Sequence, residues 1–247
     1  MPQPTTVSEP IRQRILQRRG HLRVFPEPDP ARMALVIVDM QNVFCQPGGA
    51  LEIAPSRETT PHINRLAAAC RAANIPVIWI RSYHPAGGAD WRMFFDHFIS
   101  PERGRMAAEQ LQENHPGSAI YSEMVVTPSD FIVSKNRYSC FIAGSSSLER
   151  LLRSLGRDTL LICGTRSNVC CESTSRDAMM LDFKVLFVSD GTSAITAEEH
   201  QATLDTLAQS FADVVTTDEV LKDIVGNIKT QTPNSLPETH VADSEDI

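Results

Sequence analysis

Short apolar runs alternate with helical segments along most of the chain, and this alternation constrains the fold more than any other feature. The runs ALVIVDM, PVIWIRS, DFIVSK, TLLICG and KVLFVSD are rich in valine, isoleucine and leucine, which suits strands buried on both faces. Helical spacing separates them; in residues 58–75, for example, Ile63, Leu66 and Cys70 share one stripe. A short strand and a helix close the pattern in DVVTTDEVL. The sequence therefore predicts an α/β fold with a mainly parallel sheet and helices on both faces.

Composition divides the chain into three predicted regions. Residues 1–32 form a proline-rich, polar N-terminal arm with one short amphipathic helix around residues 11–18. Residues 33–225 carry the alternating pattern and form one domain. Residues 226–247 have too few apolar side chains to offset the entropy lost on ordering, so a disordered tail is expected.

Charge and cysteine content narrow the class of protein. The 247-residue chain has a formal net charge of −7 and no dense basic run, which argues against nucleic-acid binding. No apolar run is long enough to span a bilayer, and the first residues lack the apolar core of a secretory signal, so no membrane partner is expected. The six cysteines form no CxxC pair, which disfavours a zinc site or a disulfide framework. We expect a cytoplasmic protein, since that compartment is reducing.

Three chemically reactive side chains follow three of the predicted strands. Asp39 ends the first strand, Lys135 ends the third, and Cys170 lies beyond the fourth at the start of a helix. Because sites in such sheets lie beyond the carboxyl ends of the strands, these groups are expected to meet at one edge. A lysine charge and a helix N-terminus favour a thiolate, and an aspartate can accept the thiol proton and later return it. Each residue also has an ordinary alternative: a loop cap, a surface charge and a core thiol, respectively.

Three stretches, ALVIVDMQNVFCQPGGAL, VSKNRYSCF and LLICGTRSNVCCESTSRDA, together resemble the isochorismatase-like cysteine hydrolase superfamily. The resemblance covers roughly residues 33–221. It implies a three-layer α/β/α sandwich with a six-stranded parallel sheet. It also implies roles for the three reactive residues: Asp39 as general base and acid, Lys135 as a stabiliser of charge, and Cys170 as the nucleophile.

The cysteine loop carries further implications of this resemblance. A cis peptide bond is expected between Thr165 and Arg166. The backbone N–H groups of Arg166 and Cys170 are expected to form an oxyanion hole. Cys171 falls on a position that is usually apolar in the superfamily, so we expect it in the core.

The resemblance also bears on the bond that is cleaved. Members with the cysteine favour C–N hydrolysis through a covalent intermediate, whereas some members without it cleave a vinyl ether. Nicotinamidase-type members carry an Asp-x-His-x-x-x-His-like metal motif after the second strand, but the corresponding stretch IRSYHPAGGADW holds only His84. We therefore predict no zinc, no iron and no cofactor, and we disfavour nicotinamide as the substrate. KNRYSCF and SNVCCESTSRDA are most similar to ureidoacrylate amidohydrolases and biuret-type hydrolases.

Side chains of the strand-end loops are candidates for substrate binding. Arg166 or Arg137 would clamp a substrate carboxylate through two hydrogen bonds. The open alternative is that Tyr138 and Phe141 only pack a helix and that Arg137 forms a structural ion pair. The candidates are Asn42, Phe44, Ser82, Tyr83, His84, Arg137, Tyr138, Phe141 and Arg166.

The stretch DWRMFFDHFISPERGRM, residues 90–106, is dense in aromatic residues for a loop region. It is expected either to cover the site or to form a contact between subunits. Because members of the superfamily commonly form dimers or tetramers, the subunit contact is the first interpretation. A homodimer or homotetramer is expected.

The predicted function is metal-independent cysteine amidohydrolysis of a small ureido or carbamoyl compound, with release of ammonia. One alternative is another small amide, such as maleamate or an N-carbamoyl amino acid, or a vinyl ether, on the same scaffold. A non-catalytic ligand-binding homologue is a second alternative. Redox sensing by Cys170 and Cys171 is a third.

Overall fold

A six-stranded sheet lies at the centre of residues 3–230, which are the residues that the computed structural model describes. The strands follow the order β3-β2-β1-β4-β5-β6, and every neighbouring pair is parallel. This confirms the prediction of a three-layer α/β/α sandwich. The strands are β1 (Met33–Val38), β2 (Val77–Ser82), β3 (Phe131–Lys135), β4 (Thr159–Thr165), β5 (Lys184–Ser193) and β6 (Asp213–Val215).

Helices cover both faces of the sheet and connect its strands. The predicted helices of the arm, of residues 58–75 and of the segments after β3, β4 and β5 are all present. The helices are α1 (Glu9–Arg19), α2 (Asn42–Cys45), α3 (Ser56–Ala72), α4 (Arg92–His97), α5 (Pro101–Gln110), α6 (Leu148–Ser154), α7 (Glu172–Met180), α8 (Ala197–Ser210) and α9 (Thr217–Thr230), and a short π-helix, Ser167–Cys171, leads into α7.

Two apolar cores lie on opposite faces of the sheet because successive side chains of a strand point to opposite sides. Leu35 and Ile37 of β1 pack on one face with side chains of α3 and α9. Val36 and Val38 pack on the other face with side chains of α6, α7 and α8. Every residue of β1 is therefore buried, as a strand between two helical layers requires.

The strand order reverses direction at β1, which lies between β2 and β4. Strands β2 and β3 lie on one side of β1, and the chain then crosses over to place β4, β5 and β6 on the other side. Ligand sites of open parallel sheets lie at this reversal, beyond the carboxyl ends of the two central strands. Val38 near the end of β1 lies beside Ile80 of β2 and Gly164 of β4, so the loops that follow these strands start side by side.

The structure differs from the expected organisation in two places. Residues 90–106 form the short helices α4 and α5 rather than a loop. Helix α9 continues to Thr230, beyond the expected domain end at residue 225. The tail predicted to be disordered comprises residues 226–247; residues 226–230 belong to α9, and residues 231–247 lie outside the described residues. No helix within residues 3–230 is long and apolar enough to cross a membrane.

The N-terminal arm packs along the side of the domain that carries β5, β6 and α8. The Thr5 carbonyl accepts a hydrogen bond from Ser189 Oγ at 2.7 Å. The buried carboxylate of Asp213 in β6 accepts hydrogen bonds from the backbone N–H groups of Val24 and Phe25. The arm thus joins the sheet through buried polar contacts rather than through apolar packing alone.

Gly164 allows the close approach of β4 to β1 next to the reversal. Its φ is +111°, and a Cβ at this position would overlap the backbone carbonyl of Val38. A side chain is therefore excluded by both the backbone conformation and the neighbouring strand.

We predict that Gly164→Ala lowers the free energy of unfolding by more than about 2 kcal/mol, because it adds a clash with a central strand. Gly156→Ala is the control: Gly156 also has a positive φ, +64°, but its Cβ would meet open space. Only the conformational cost, about 1 kcal/mol, is expected there. Urea unfolding of both variants measures the difference, and equal losses would contradict the packing argument.

Candidate active site

Asp39 is the first side chain of the site and follows β1 directly. Its backbone has a left-handed conformation, with φ +55°, which aspartate tolerates better than most residues. The Asp39 N–H donates to the Ile80 carbonyl of β2 at 3.0 Å, which extends the sheet by one residue. The carboxylate is completely buried.

A buried ion pair joins the ends of β1 and β3. Lys135 Nζ lies 2.8 Å from Asp39 Oδ2, and each side chain is only 1% exposed. Ser82, at the end of β2, lies between the two charged groups: its Oγ accepts from Lys135 Nζ and donates to Asp39 Oδ1, each at 3.0 Å. The Arg137 carbonyl accepts a further hydrogen bond from Lys135 Nζ at 3.0 Å. Both charges are therefore compensated, as buried charges must be.

Cys170 completes the cluster from the far side of β1. Its Sγ lies 3.6 Å from Lys135 Nζ, so the predicted convergence of Asp39, Lys135 and Cys170 is present in the structure. Burial raises the pKa of the Cys170 thiol well above its ordinary value, and the Asp39 charge and hydrogen bond raise it further. The Lys135 charge opposes this shift without cancelling it. The sequence argument for a thiolate omitted burial; the resting thiol is neutral and next to a carboxylate.

Burial also acts on the lysine. It lowers the pKa of the Lys135 ammonium, but the negative charge of Asp39 and its hydrogen bond outweigh burial and raise that pKa above its ordinary value. Lys135 therefore stays protonated near neutral pH. It can stabilise a sulfur anion electrostatically, but it is a poor proton donor.

The segment before Cys170 has the backbone expected from the sequence. The Thr165–Arg166 peptide bond is cis. Cys170 lies within the π-helix that starts at Ser167, and the N–H groups of a first helical turn have no acceptors within the helix. Within this segment the N–H groups of Val169 and Cys171 both donate to the Arg166 carbonyl at 3.1 Å, and the oxyanion hole formed by the N–H groups of Arg166 and Cys170 stays a prediction. Cys171 is fully buried in the core, as predicted.

A serine–histidine pair that the sequence analysis missed supports this segment. Ser167 Oγ lies 2.6 Å from His200 Nδ1, and both residues are completely buried. Burial lowers the pKa of His200 to about 4, although the backbone carbonyls of Pro4 and Ser189 favour the protonated ring. The ring is therefore neutral near pH 7. This pair connects α8 to the first turn of the helix that carries Cys170.

Gln41 was also missed, although it follows Asp39 by two positions in the same strand-end stretch. Its side chain is completely buried. Gln41 Nε2 donates to the carbonyls of Ser82 and Ser118 at 3.0 and 2.8 Å, and its Oε1 accepts from the Ser82 N–H at 2.7 Å. This amide holds the backbone of Ser82, whose hydroxyl bridges the ion pair. The only indication of Gln41 in the sequence was an amide side chain in the loop that follows β1.

A cavity of about 250 Å³ opens above Cys170. Its wall is mainly apolar and aromatic with a few charged groups, as is common for sites of small ligands. The lining residues are Phe44, Leu51, Glu52, Ile53, Ser82, His84, Trp91, Phe94, Phe98, Ile99, Arg103, Leu111, Lys135, Tyr138, Arg166, Val169, Cys170 and Ile195.

Five of the nine predicted substrate-binding residues line this cavity: Phe44, Ser82, His84, Tyr138 and Arg166.

The other four predicted residues lie outside the lining, each for an identifiable reason. Asn42 Nδ2 donates to the Pro116 carbonyl at 2.9 Å. Tyr83 lines a separate depression together with His84 and His115. The Arg137 guanidinium donates to the carbonyls of Asp90 and Asn136. Phe141 packs in the core, with its ring centroid 5.3 Å from that of Phe183.

His84 belongs to the cavity wall and is part of no metal cluster in the described residues. It is 3% exposed, and its Nδ1 lies 2.9 Å from Asp90 Oδ1. Burial lowers its pKa, against the opposing effect of Asp90, so the ring is neutral near pH 7. Within residues 3–230, no group of three or more His, Cys, Asp or Glu side chains could hold a metal ion. Metal independence of the reaction stays a prediction.

Residues 90–106 lie over the cavity. Trp91, Phe94, Phe98, Ile99 and Arg103 of this segment all line it. Phe98 is nevertheless 74% exposed, so the outer part of this wall faces solvent. The position of the segment supports the interpretation as a cover for the site, and the expected subunit contact stays a prediction.

The fold and site geometry agree with comparisons to known proteins. Residues 33–219 match the isochorismatase domain, so the chain belongs to the isochorismatase family.

Named relatives narrow this class further. The chain is 34% identical over 236 residues to the ureidoacrylate amidohydrolase RutB of Pseudomonas syringae pv. syringae (strain B728a), covering 89% of this chain and 95% of the relative. It is 30% identical over 206 residues to nicotinamidase 3 of Arabidopsis thaliana, covering 81% and 93%. A crystal structure of a cysteine hydrolase from Pseudomonas syringae pv. phaseolicola 1448A superposes with a TM-score of 0.74 at 32% identity, covering 81% and 96%. The prediction of a hydrolase of the amidohydrolase class is confirmed.

We predict that Ser167→Ala lowers kcat about tenfold and changes KM little. The variant removes the hydrogen bond to His200 that fixes the first turn of the Cys170 helix, and small displacements of a reacting group cost rate. Steady-state kinetics with the best amide substrate measures both parameters.

Two variants serve as controls for Ser167→Ala. Ser175 is another completely buried serine, but its Oγ only donates to the Cys171 carbonyl four residues earlier in the chain. Ser175→Ala is expected to keep kcat. Ser167→Thr retains the hydroxyl and is expected to restore most of the rate. Equal kcat values for Ser167→Ala and Ser175→Ala would contradict the positioning role.

Proposed function

We propose that the protein is a metal-independent cysteine amidohydrolase that releases ammonia from a small ureido or carbamoyl compound through a covalent intermediate on Cys170. The observation that carries this proposal is the contact of the Cys170 thiol with the Asp39–Lys135 ion pair at the inner end of a mainly apolar cavity. A neutral thiol beside a buried carboxylate can become a nucleophile as soon as its proton moves to that carboxylate.

The proposed reaction starts with Asp39. Its carboxylate accepts the thiol proton while the sulfur of Cys170 attacks the carbonyl carbon and the C=O bond becomes a C–O⁻ bond. The backbone N–H groups of Arg166 and Cys170 donate to this oxyanion. Lys135 keeps its charge throughout and compensates the negative charge that passes from Asp39 to sulfur and oxygen.

The second half of the cycle uses the same proton. Collapse of the tetrahedral intermediate breaks the C–N bond, and the protonated Asp39 gives its proton to the departing nitrogen, which leaves as ammonia. A carbamoyl or acyl thioester then remains on Cys170. Asp39, again a carboxylate, accepts a proton from the attacking water. The C–S bond then breaks, and Asp39 returns this proton to the departing sulfur, which restores both the thiol and the carboxylate. Asp39 thus accepts and returns the transferred proton in both halves of the cycle.

The ureido or carbamoyl class rests on the likeness to the ureidoacrylate amidohydrolase and on the cavity. A ureido group is planar and polar and fits next to Ser82 and the helix N–H groups, while the rest of a small substrate contacts apolar walls. The similarity to a nicotinamidase makes nicotinamide the comparison substrate to test. Maleamate and N-carbamoyl amino acids remain within the same reaction class.

We predict that Cys170→Ala abolishes ammonia release, a loss of at least about 10³-fold, because within residues 3–230 no other thiol lines the cavity. Cys171→Ala is the matched control: this neighbouring cysteine is completely buried in the core and should retain turnover. Circular dichroism spectra and thermal unfolding of both variants verify that the fold persists. Full activity of Cys170→Ala would refute the covalent mechanism.

A substrate panel tests the proposed class. Ammonia release is measured with ureidoacrylate, biuret, an N-carbamoyl amino acid, maleamate and nicotinamide, each with and without EDTA. We expect release from a ureido or carbamoyl compound, unchanged by EDTA and absent in Cys170→Ser. Turnover that is specific for nicotinamide and lost with EDTA would contradict both the substrate class and metal independence. The absence of turnover on the whole panel would favour the ligand-binding alternative.

A further inference from the structure

The charged side chains that line the cavity have very different surroundings. The four lining side chains with a formal charge at neutral pH are Glu52, Arg103, Lys135 and Arg166. A charged group whose partner is already present in the protein has little to offer a ligand charge, whereas a charge without a partner favours a ligand of opposite sign. The partners of each group therefore indicate which charge the substrate should carry.

Three of these four groups are already paired. Lys135 is held by Asp39 at 2.8 Å. Glu52 forms an ion pair with Arg57 at 2.9 Å and accepts the Gly48 N–H at 2.9 Å.

Arg166, one of the two sequence-based candidates for binding a carboxylate, is paired as well. Its Nη2 lies 3.1 Å from Glu199 Oε1, and its Nε donates to Asn168 Oδ1 at 3.0 Å. The Arg166 guanidinium therefore lines the cavity, but its charge is already compensated by Glu199.

Arg103 is different. Its Nε donates to the Ala50 carbonyl at 2.7 Å, which fixes the guanidinium beside the 51–53 segment of the cavity wall. Within residues 3–230, no carboxylate lies within ion-pair distance of Arg103, and its two terminal nitrogens have no hydrogen-bond acceptor there. The cavity wall therefore contains a guanidinium that is anchored through one nitrogen and has an uncompensated charge.

We propose that Arg103 determines substrate specificity by binding a carboxylate of the substrate at the outer end of the cavity. The substrate class is then an anionic ureido or carbamoyl acid, with the scissile group at Cys170 and the carboxylate at Arg103. This inference rests on the proposed function for the orientation of the substrate. The carboxylate subsite itself can be tested without turnover.

The geometry of the cavity supports this orientation. Cys170 is only 8% exposed, whereas Arg103 lies in an exposed part of α5, so the two residues mark the inner and outer ends. Ile99, Leu51 and Phe98 line the wall near α5 and reduce the water around a bound carboxylate. Guanidinium–carboxylate hydrogen bonds are charge-assisted and gain strength when water is partly excluded.

The same helix provides a matched control. Arg105 is also exposed and also lacks an ion pair in the described residues, but it lies outside the lining of this cavity. Residues two positions apart on a helix point in different directions. Arg103→Met and Arg105→Met therefore make the same change in net charge on the same helix, and only the first removes a group from the cavity.

The test compares N-carbamoyl-β-alanine with its uncharged amide as probes. Binding is measured by calorimetry in the Cys170→Ala background, where no turnover interferes, and ammonia release is measured with Cys170 intact. We expect Arg103→Met to weaken binding of the acid and to raise its KM by about tenfold or more, with little effect on the amide. Arg105→Met should leave both probes unchanged.

Equal effects of Arg103→Met on the acid and the amide, or equal effects of Arg103→Met and Arg105→Met, would overturn the proposal. The two proposals fail in different ways. If the acid binds in an Arg103-dependent manner but releases no ammonia, the subsite stands and the proposed reaction fails. If both probes are hydrolysed equally well with and without Arg103, the reaction stands and the subsite fails.

Discussion

The buried ion pair between Lys135 and Asp39 is the interaction on which the rest of the site depends. A pair with both partners withdrawn from water is stable only when each charge keeps its counter-charge and its hydrogen bonds, and removal of one partner from such a pair costs about 3–5 kcal/mol. Here the required partners come from three neighbouring strands, because Ser82 bridges the two charges and Gln41 holds Ser82. The ends of β1, β2 and β3 are thereby fixed relative to one another by electrostatics, and Cys170 meets a cluster that is already rigid.

Adjacent cysteines show how strongly local backbone conformation separates chemical roles. Cys170 reaches the cavity and contacts Lys135, whereas Cys171 lies in the core between the sheet and the helices. Both thiols have a pKa raised by burial, so burial alone does not distinguish them. The distinction comes from the neighbours: a carboxylate able to take a proton lies next to one sulfur and apolar packing surrounds the other. The proposed reactivity of Cys170 therefore depends on the surrounding cluster rather than on a lowered thiol pKa.

Sequence patterns were sufficient for the sheet, most helices and the three reactive residues, because continuous apolar strands and strand-end polar groups are local signals. They were insufficient for the cavity wall. Arg103 and Trp91 lie in a segment whose aromatic residues do not follow one helical stripe, so neither α4 nor α5 nor the direction of their side chains was evident. The Ser167–His200 pair was missed because its members are 33 positions apart and only the packing of α8 brings them together. Arg166 was a reasonable candidate from its position, but its counter-charge, Glu199, belongs to another helix.

The charges of the cluster also have a consequence for how the cavity admits its ligand. At rest, Asp39 and Lys135 sum to zero and the thiol adds nothing. In the proposed reaction, transfer of the proton from sulfur to the carboxylate rearranges these charges without changing their sum. A neutral carbonyl group would then enter, react and leave while the inner end of the cavity keeps constant net charge, so no counterion has to follow it. Under the same proposal, dissolved salt acts mainly at the outer end, where Arg103 faces the solvent and small ions compete for its charge.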